Sequence, residues 1–210
     1  MHSKYHVIRV VPDRGQLFYF SAMKYFLIVF SLLTLTSTTR VSKQGQWIID
    51  SGSQLLIHGK SNVNSFTCSI PYYSHIDTLH YAVRNAKLIF SGNKMIIPIR
   101  DFNCGNNVIT KDLRRTVKAA DNPYLSIAFI SMNTNAHGST AEMKITLAGV
   151  TKLASIEFIQ TTKGQLLQLI GKHTVAFKDF GLVAPKHVFG LVKVQQELNV
   201  EFNLLIKTIP

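Results

Sequence analysis

The chain has 210 residues, 46% hydrophobic, 16% charged and 10% aromatic, with 23 Lys or Arg against 11 Asp or Glu and a formal net charge of +12. An apolar share near the globular average excludes wholesale disorder, and two cysteines exclude a disulfide-dense miniprotein and a four-cysteine zinc module. Length points to one domain or two, and the positive charge argues for a nucleic-acid or membrane partner only if it survives in the mature chain.

Residues 26–35 read FLIVFSLLTL, an uncharged run preceded by Met23-Lys24-Tyr25 and followed by Thr36-Ser37-Thr38-Thr39. A short cationic start, an apolar stretch of about 7–15 residues and a small polar exit make a secretory signal peptide. A transmembrane helix needs about 20 apolar residues, so this run is too short to span. The alternative is a buried strand or helix. No Cys near the end of the run supports a lipoprotein start, and no A-x-A pattern marks a cleavage site. Because Met23 sits just before the run, the expectation is that Met23 is the true start. Residues 1–22 are then a doubtful leader, 23–43 the signal and a short linker, and 44–210 a single domain sent to the periplasm or secreted.

Residues 1–43 hold six basic residues and Asp13, a net of +5, and the remainder keeps 17 basic and 10 acidic residues, a net of +7. Those charges are scattered, the densest group being Arg114-Arg115 with Lys111 and Lys118. A nucleic-acid footprint needs a basic stripe with stacking aromatics beside it. Neither is present, so a solvated basic surface is expected and no nucleic-acid partner.

From Trp47 onward, period-2 alternation dominates. Leu125, Ile127 and Phe129, then Met143, Ile145 and Leu147, then Leu198, Val200, Phe202 and Leu204 each alternate with polar or smaller residues, and Leu55 and Ile57 repeat the spacing. This period means strands with one dry and one wet face. Strands are expected at about 47–58, 63–70, 79–91, 94–101, 124–132, 141–148, 153–161, 165–172 and 189–206. Ser91-Gly92-Asn93 and Thr162-Lys163-Gly164 each separate two apolar runs and read as hairpin turns. One helix is expected at 108–119, where Ile109, Leu113 and Val117 share a face and Asp121-Asn122-Pro123 blocks continuation. The fold class is therefore all-β, an antiparallel up-and-down barrel of about eight strands with one short helix. Outer-membrane barrels have the reverse pattern, apolar outside. Lys on the polar faces and the lack of aromatic girdles favour the form that does not span a membrane once the signal is removed.

Cys68 and Cys104 are the whole cysteine set. An exported chain meets an oxidising compartment, so one disulfide is the simplest expectation, with two free buried thiols as the rival.

Catalytic motifs are not found: no G-x-S-x-G, H-E-x-x-H, C-x-x-C or P-loop. Gly171-Lys172-His173 lacks the upstream glycine and the following Ser or Thr of a P-loop. His58, His75, His80, His137, His173 and His187 form no i, i+4 pair on a helix and read as surface or polar-tip residues. No pair of carboxylates stands out for acid–base work. A binding protein is expected, not an enzyme, with no cofactor and no metal.

Several segments resemble bacterial YceI-like proteins. Leu55-Leu56-Ile57-His58-Gly59-Lys60-Ser61-Asn62-Val63-Asn64-Ser65-Phe66-Thr67-Cys68 resembles their first strands. Phe102-Asn103-Cys104-Gly105-Asn106, Lys111-Asp112-Leu113 and Asn122-Pro123-Tyr124-Leu125 resemble their helix and the strand after it. Ile145-Thr146-Leu147-Ala148-Gly149-Val150-Thr151-Lys152 is similar to their hairpin, and Phe177-Lys178-Asp179-Phe180-Gly181-Leu182 with Pro185 and Val192-Lys193-Val194 to their closing segment. These cover most of residues 47–206 in the family's order. Two positions depart from it: Leu153 stands where Pro often follows Thr-Lys, and Ala184-Pro185 where Pro-Pro is usual.

The resemblance implies a lipocalin-like barrel, secreted or periplasmic, whose lumen holds a polyisoprenoid or similar long apolar amphiphile. Physical reasoning agrees, since a barrel of about eight strands either fills itself or holds one small ligand. The residues expected to line the lumen are Leu55, Ile57, Phe66, Ile97, Ile99, Leu125, Ile127, Phe129, Met143, Ile145, Leu147, Ile156, Phe158, Leu167, Leu169, Phe177 and Phe180. Plain core is the alternative role for each. Gly59, Gly149 and Gly171 are expected to leave room for a chain or bend the wall. The competing function is a secreted interaction or structural barrel with a filled core. Whether the protein forms a homodimer is left open by the sequence.

Overall fold

The computed structural model describes residues 43–70, 73, 75–92, 94–135, 138–187 and 191–209. The leader expected at 1–22 and, Lys43 apart, the signal and linker expected at 23–43 lie outside the described residues. In chain order the strands are β1 (Gln44–Ile49), β2 (Gln54–Lys60), β3 (Ser65–Ile70), β4 (Thr78–Arg84), β5 (Lys87–Ser91), β6 (Met95–Pro98) and β7 (Tyr124–Asn135). They continue with β8 (Gly138–Leu147), β9 (Val150–Lys163), β10 (Leu166–Ala176), β11 (Lys186–His187), β12 (Val192–Lys193) and β13 (Glu197–Ile209). Helix α1 (Asn107–Thr116) lies between β6 and β7.

Antiparallel pairing runs β1-β4-β5-β7-β8-β9-β10-β13, and β13 returns to β1 to close a ring of eight. The remaining long-sheet strands extend this ring instead of widening it. β1 and β2 lie end to end along β13, with Ile49 opposite Ile206 and Gln54 opposite Asn203. β5 and β6 do the same along β7, with Ile89 opposite Ser131 and Met95 opposite Ile127. β3 and β4 follow suit along β2 and β1. The expected eight-stranded up-and-down barrel is therefore the fold, with three of its strands broken in the middle.

Two of the breaks have a local cause. Between β1 and β2 the Ser53 N–H donates to the Asp50 carbonyl at 3.0 Å, and the buried Ser53 hydroxyl donates to the Leu205 carbonyl and accepts from the Leu205 N–H. Side chain thus substitutes for backbone where the ladder is interrupted. At Ser91-Gly92-Asn93 the expected hairpin is corrected: β5 and β6 both pair with β7, and Gly92, at φ +83°, marks a kink within one strand line. The expected strand 79–91 is in turn two strands, β4 and β5, reversed at Asn85-Ala86 with φ of 49° and 61°. Both residues at positive φ is the hairpin geometry usually signalled by Asn-Gly, and an alanine hid it. Thr162-Lys163-Gly164 does turn β9 into β10. The expected strand 189–206 begins only at Glu197, the preceding stretch contributing the short β12 against β11.

Helix α1 starts because Asn106 accepts from the Val108 and Ile109 N–H groups at 2.8 and 3.2 Å, the N-cap arrangement. It stops earlier than the expected 119 because Lys118 adopts φ +54° and the Ala119 N–H donates back to the Arg114 carbonyl at 2.9 Å, a Schellman-type end. The disulfide Cys68–Cys104 is present and both cysteines are buried. It ties β3 to the segment that leads into α1.

The two ends of the barrel differ. At one end β4 turns into β5 at Asn85-Ala86 and β9 into β10 at residues 164–165, and there β7 ends at Asn135 and β8 begins at Gly138. At the other lie the β2–β3 turn, the α1 connection at 99–123, the Ala148-Gly149 turn and the 177–196 connection. The inner face is apolar and the outer face polar, as on β8, where Ala141 and Met143 are buried and Glu142 and Lys144 exposed. This is the inverse of a membrane-spanning barrel. No described helix is long and apolar enough to cross a membrane.

Candidate functional site: the apolar lumen

The lumen is divided along its axis. Towards the short-turn end it is filled by aromatic rings. Trp47 packs edge-on to Phe90, Tyr81 and Phe129 with centroids 5.0, 6.0 and 6.2 Å away, and Phe90 meets Phe129 at 5.4 Å. Edge-to-face contacts of this kind add about 0.5–1.5 kcal/mol each beyond burial. Leu79, Leu169 and Ile206, each almost fully buried, complete the plug.

Towards the α1 end the lumen is open space of about 150 Å³. Its floor is Phe129 and its walls are Leu125 and Ile127 of β7, Met143, Ile145 and Leu147 of β8, Ile156 of β9, and Leu55 and Ile57 of β2. Met95 and Ile97 close the side, Ile99, Phe102 and Phe180 the rim, and Leu113 and Val117 of α1 form the roof. No polar atom contributes surface to this space. An empty cavity lined by such groups stays dry and accepts apolar guests.

One polar pair sits at the margin. Buried Tyr73 donates its hydroxyl to the Asp77 carboxylate, which also accepts from the Ile96 N–H at 3.4 Å. Burial first, and Asp77 second, push the Tyr73 phenol far above its ordinary pKa, so this wall residue stays neutral. His173 also lines the wall, although its sequence context read as surface. Among the described residues no three His, Cys, Asp or Glu side chains converge as metal ligands.

Beside the lumen runs a second apolar space of about 310 Å³, a groove between α1, the β2–β3 hairpin and the 177–196 connection. The two spaces share Ile57, Leu113 and Leu198 as a common wall.

The residues expected to line the lumen separate by depth. Leu55, Ile57, Ile97, Ile99, Leu125, Ile127, Phe129, Met143, Ile145, Leu147, Ile156 and Phe180 border the cavity. Phe66 and Phe177 border the groove instead. Phe158, Leu167 and Leu169 are core and do not border the cavity. Missing from that expectation were Leu113 and Val117, and the β13 side chains Leu198, Val200, Phe202 and Leu204. The helical stripe and the alternation of β13 carried the signal for both. Gly59 and Gly171 leave no room for a ligand: the Phe66 and Phe202 rings, directly opposite in the ladder, occupy those spaces. Gly149, at φ +79°, serves the β8–β9 turn.

No protein-family model matches the chain, and no curated protein matches it. Solved structures do. BcnA of Burkholderia cenocepacia superposes with a TM-score of 0.60 at 15% identity, over 75% of this chain and 98% of that one. A polyisoprenoid-binding domain from Saccharophagus degradans, implicated in plant cell wall breakdown, gives 0.52 at 12% identity, over 80% of this chain and all of that one. A Campylobacter jejuni YceI protein aligns with a TM-score of 0.49 at 14% identity, over 70% of this chain and 82% of that one. The first two share this chain's fold, in agreement with the barrel that the sequence segments imply.

Proposed function

We propose that this chain is an exported YceI-like carrier whose barrel lumen holds the tail of a polyisoprenoid or similar long apolar amphiphile, and that it catalyses no reaction. The observation that carries this reading is the wall of the cavity: a closed-bottomed space with no polar surface, roofed by a single helix. Such a site offers burial and no chemistry, and ligand sites of this kind are mostly apolar with few polar anchors. Likeness in fold to a polyisoprenoid-binding domain supports it, and the buried disulfide fits an oxidising compartment.

Magnitude sets a condition. A cavity of about 150 Å³ admits a ring-sized apolar group, not a long chain. The adjoining groove of about 310 Å³ brings the space into the range of ordinary ligand sites, about 300–1,000 Å³. The tail is therefore expected to pass under α1, through the wall formed by Leu113, and to continue along the groove.

Native mass spectrometry of gently purified protein, followed by lipid extraction, tests the reading. A co-purifying isoprenoid or fatty amphiphile is expected, and the Ile145→Trp variant, which fills the cavity, is expected to lose it. A protein that takes up no isoprenoid, with the variant indistinguishable from wild type, would establish the filled-core interaction barrel instead.

A further inference from the structure

We propose that the α1 end of the barrel docks on an anionic lipid bilayer, with the groove between α1 and the β2–β3 hairpin turned towards it. As a route for ligand transfer this rests on the lumen reading; as a binding event it stands separately.

Cations occur at both ends of the barrel. The connections at the α1 end carry eight Lys or Arg and four Asp, and the strand ends beside the short turns carry Arg84, Lys87 and Lys163, so what distinguishes the α1 end is the company its cations keep. Five of the eight cations, Arg100, Lys111, Arg114, Arg115 and Lys118, border one recess of about 620 Å³ on the flank of α1. Arg114 is used structurally, donating to the Arg100 carbonyl at 2.7 Å. Lys111, Arg115 and Lys118 are exposed. Three of the Asp residues lie among these cations, and Asp101 and Asp112 each pair with an Arg at 3.8 Å.

Apolar exposure occurs at the same end. Val63 at the β2–β3 tip is 65% exposed, Val108 on α1 66%, and Val183 and Leu191 on the 177–196 connection 75% and 72%. Four aliphatic side chains facing solvent from three separate connections are not needed by the core. Tyr124, half-exposed at the same end, is of the type that favours a membrane–water interface.

An anionic bilayer matches both features. Cations near such a surface are each attracted within a Debye length, and aliphatic side chains among them enter the headgroup layer. A single free anion would call for donors converging on one point. Here the cations are strung along a helix and its flanks, which suits an extended surface. Val63 and Val108, both exposed, line the groove, so docking there lets an apolar tail move between bilayer and lumen without crossing water.

The test is co-sedimentation of the chain with vesicles of phosphatidylcholine alone, or with a third of phosphatidylglycerol. All variants share one N-terminus, so its own contribution cancels. Wild type is expected to prefer the anionic vesicles and to be released by salt. Lys111→Glu with Lys118→Glu is expected to lower partitioning more than about tenfold, and Lys87→Glu with Lys163→Glu, at the opposite end, to leave it within about twofold. Val63→Ser with Val108→Ser should weaken binding at unchanged salt sensitivity. If the α1 charge reversal disturbs folding by circular dichroism, Lys186→Glu with Lys193→Glu takes its place.

Equal binding to both vesicle types, or equal loss from reversals at either end, overturns the proposal. Full release by millimolar inorganic phosphate at constant ionic strength overturns it in favour of a free-anion site. Loading with an isoprenoid in detergent, measured without vesicles, separates the two readings. Docking without loading removes the lumen reading and keeps this one; loading without docking does the reverse.

Discussion

Gly171 shows how one residue can fix a barrel wall. It sits on β10 directly opposite Phe202 of β13, and a Cβ there would overlap the Phe202 ring and lie 2.8 Å from the Glu157 carbonyl oxygen. The ring can turn, but the carbonyl belongs to the β9 ladder and cannot yield. Gly171→Ala is therefore expected to destabilise by about 1–3 kcal/mol, the usual range for overpacking, as a lower denaturation midpoint at unchanged slope. Half-buried carboxylates act on a smaller scale. Asp50 is held below its ordinary pKa first by the hydrogen bond from Lys207 and then by the Gly52 N–H, and Glu201 is held below its own by Lys172. A lowered folded pKa contributes stability above the unfolded value, about 3.9 for Asp and 4.3 for Glu, and loses it as pH falls through the folded value. Unfolding free energy should thus be flat from neutrality to about pH 5 and fall below pH 4. Lys172→Met and Lys207→Met should both flatten that fall, measured by denaturant titration across acid pH. An unchanged slope would show that neither pair senses folding.

At the scale of elements, the segment from Ile99 to Val117 depends on its tethers. The Cys68–Cys104 bridge encloses a separation of 36 residues, and closing such a loop restricts the unfolded chain by about 3–4 kcal/mol in the chain-entropy model. Asn103 continues the tether by exchanging backbone hydrogen bonds with Ser69 at 2.8 and 3.0 Å. These bonds join β3 to the stretch between β6 and α1. Replacing both cysteines by alanine is expected to lower stability by about that amount. It should also speed hydrogen exchange in α1 more than in β8–β10, since the bridge holds the roof and not the wall. Equal acceleration everywhere would mean the bridge acts on global stability alone.

At the scale of the molecule, the sealed half and the open half of the lumen divide the labour. Rings from β1, β4, β5 and β7 make a rigid plug, and the cavity above it inherits a fixed floor. Ile145→Trp should therefore abolish ligand uptake at a stability cost of about 1–3 kcal/mol, leaving the strand signature of the circular dichroism spectrum intact. If uptake survives, the tail does not enter the lumen. Much of this was legible in the chain. Alternation at Leu125, Ile127 and Phe129 announced an inward face, and it failed at Met132 because a bulge between Phe129 and Ser131 returns an even-numbered residue to the interior. The turn at Asn85-Ala86 went unread because positive φ is normally advertised by glycine. The role of Trp47 went unread because an inward aromatic looks the same in sequence whether it lines a cavity or fills it.

The sequence by itself determined which face of each long strand is dry, where α1 begins and which two cysteines can pair, because these are properties of neighbours along the chain. Depth along the barrel axis is not such a property. It depends on which residues of β13 oppose β1, β2 and β10, pairings separated by up to 163 positions, as between Gln46 and Ile209. Only the tertiary structure could therefore decide that Phe158, Leu167 and Leu169 are core while Leu113 and Val117 roof a cavity. It alone brings the α1 cations and the exposed aliphatic side chains of three separate connections to one end.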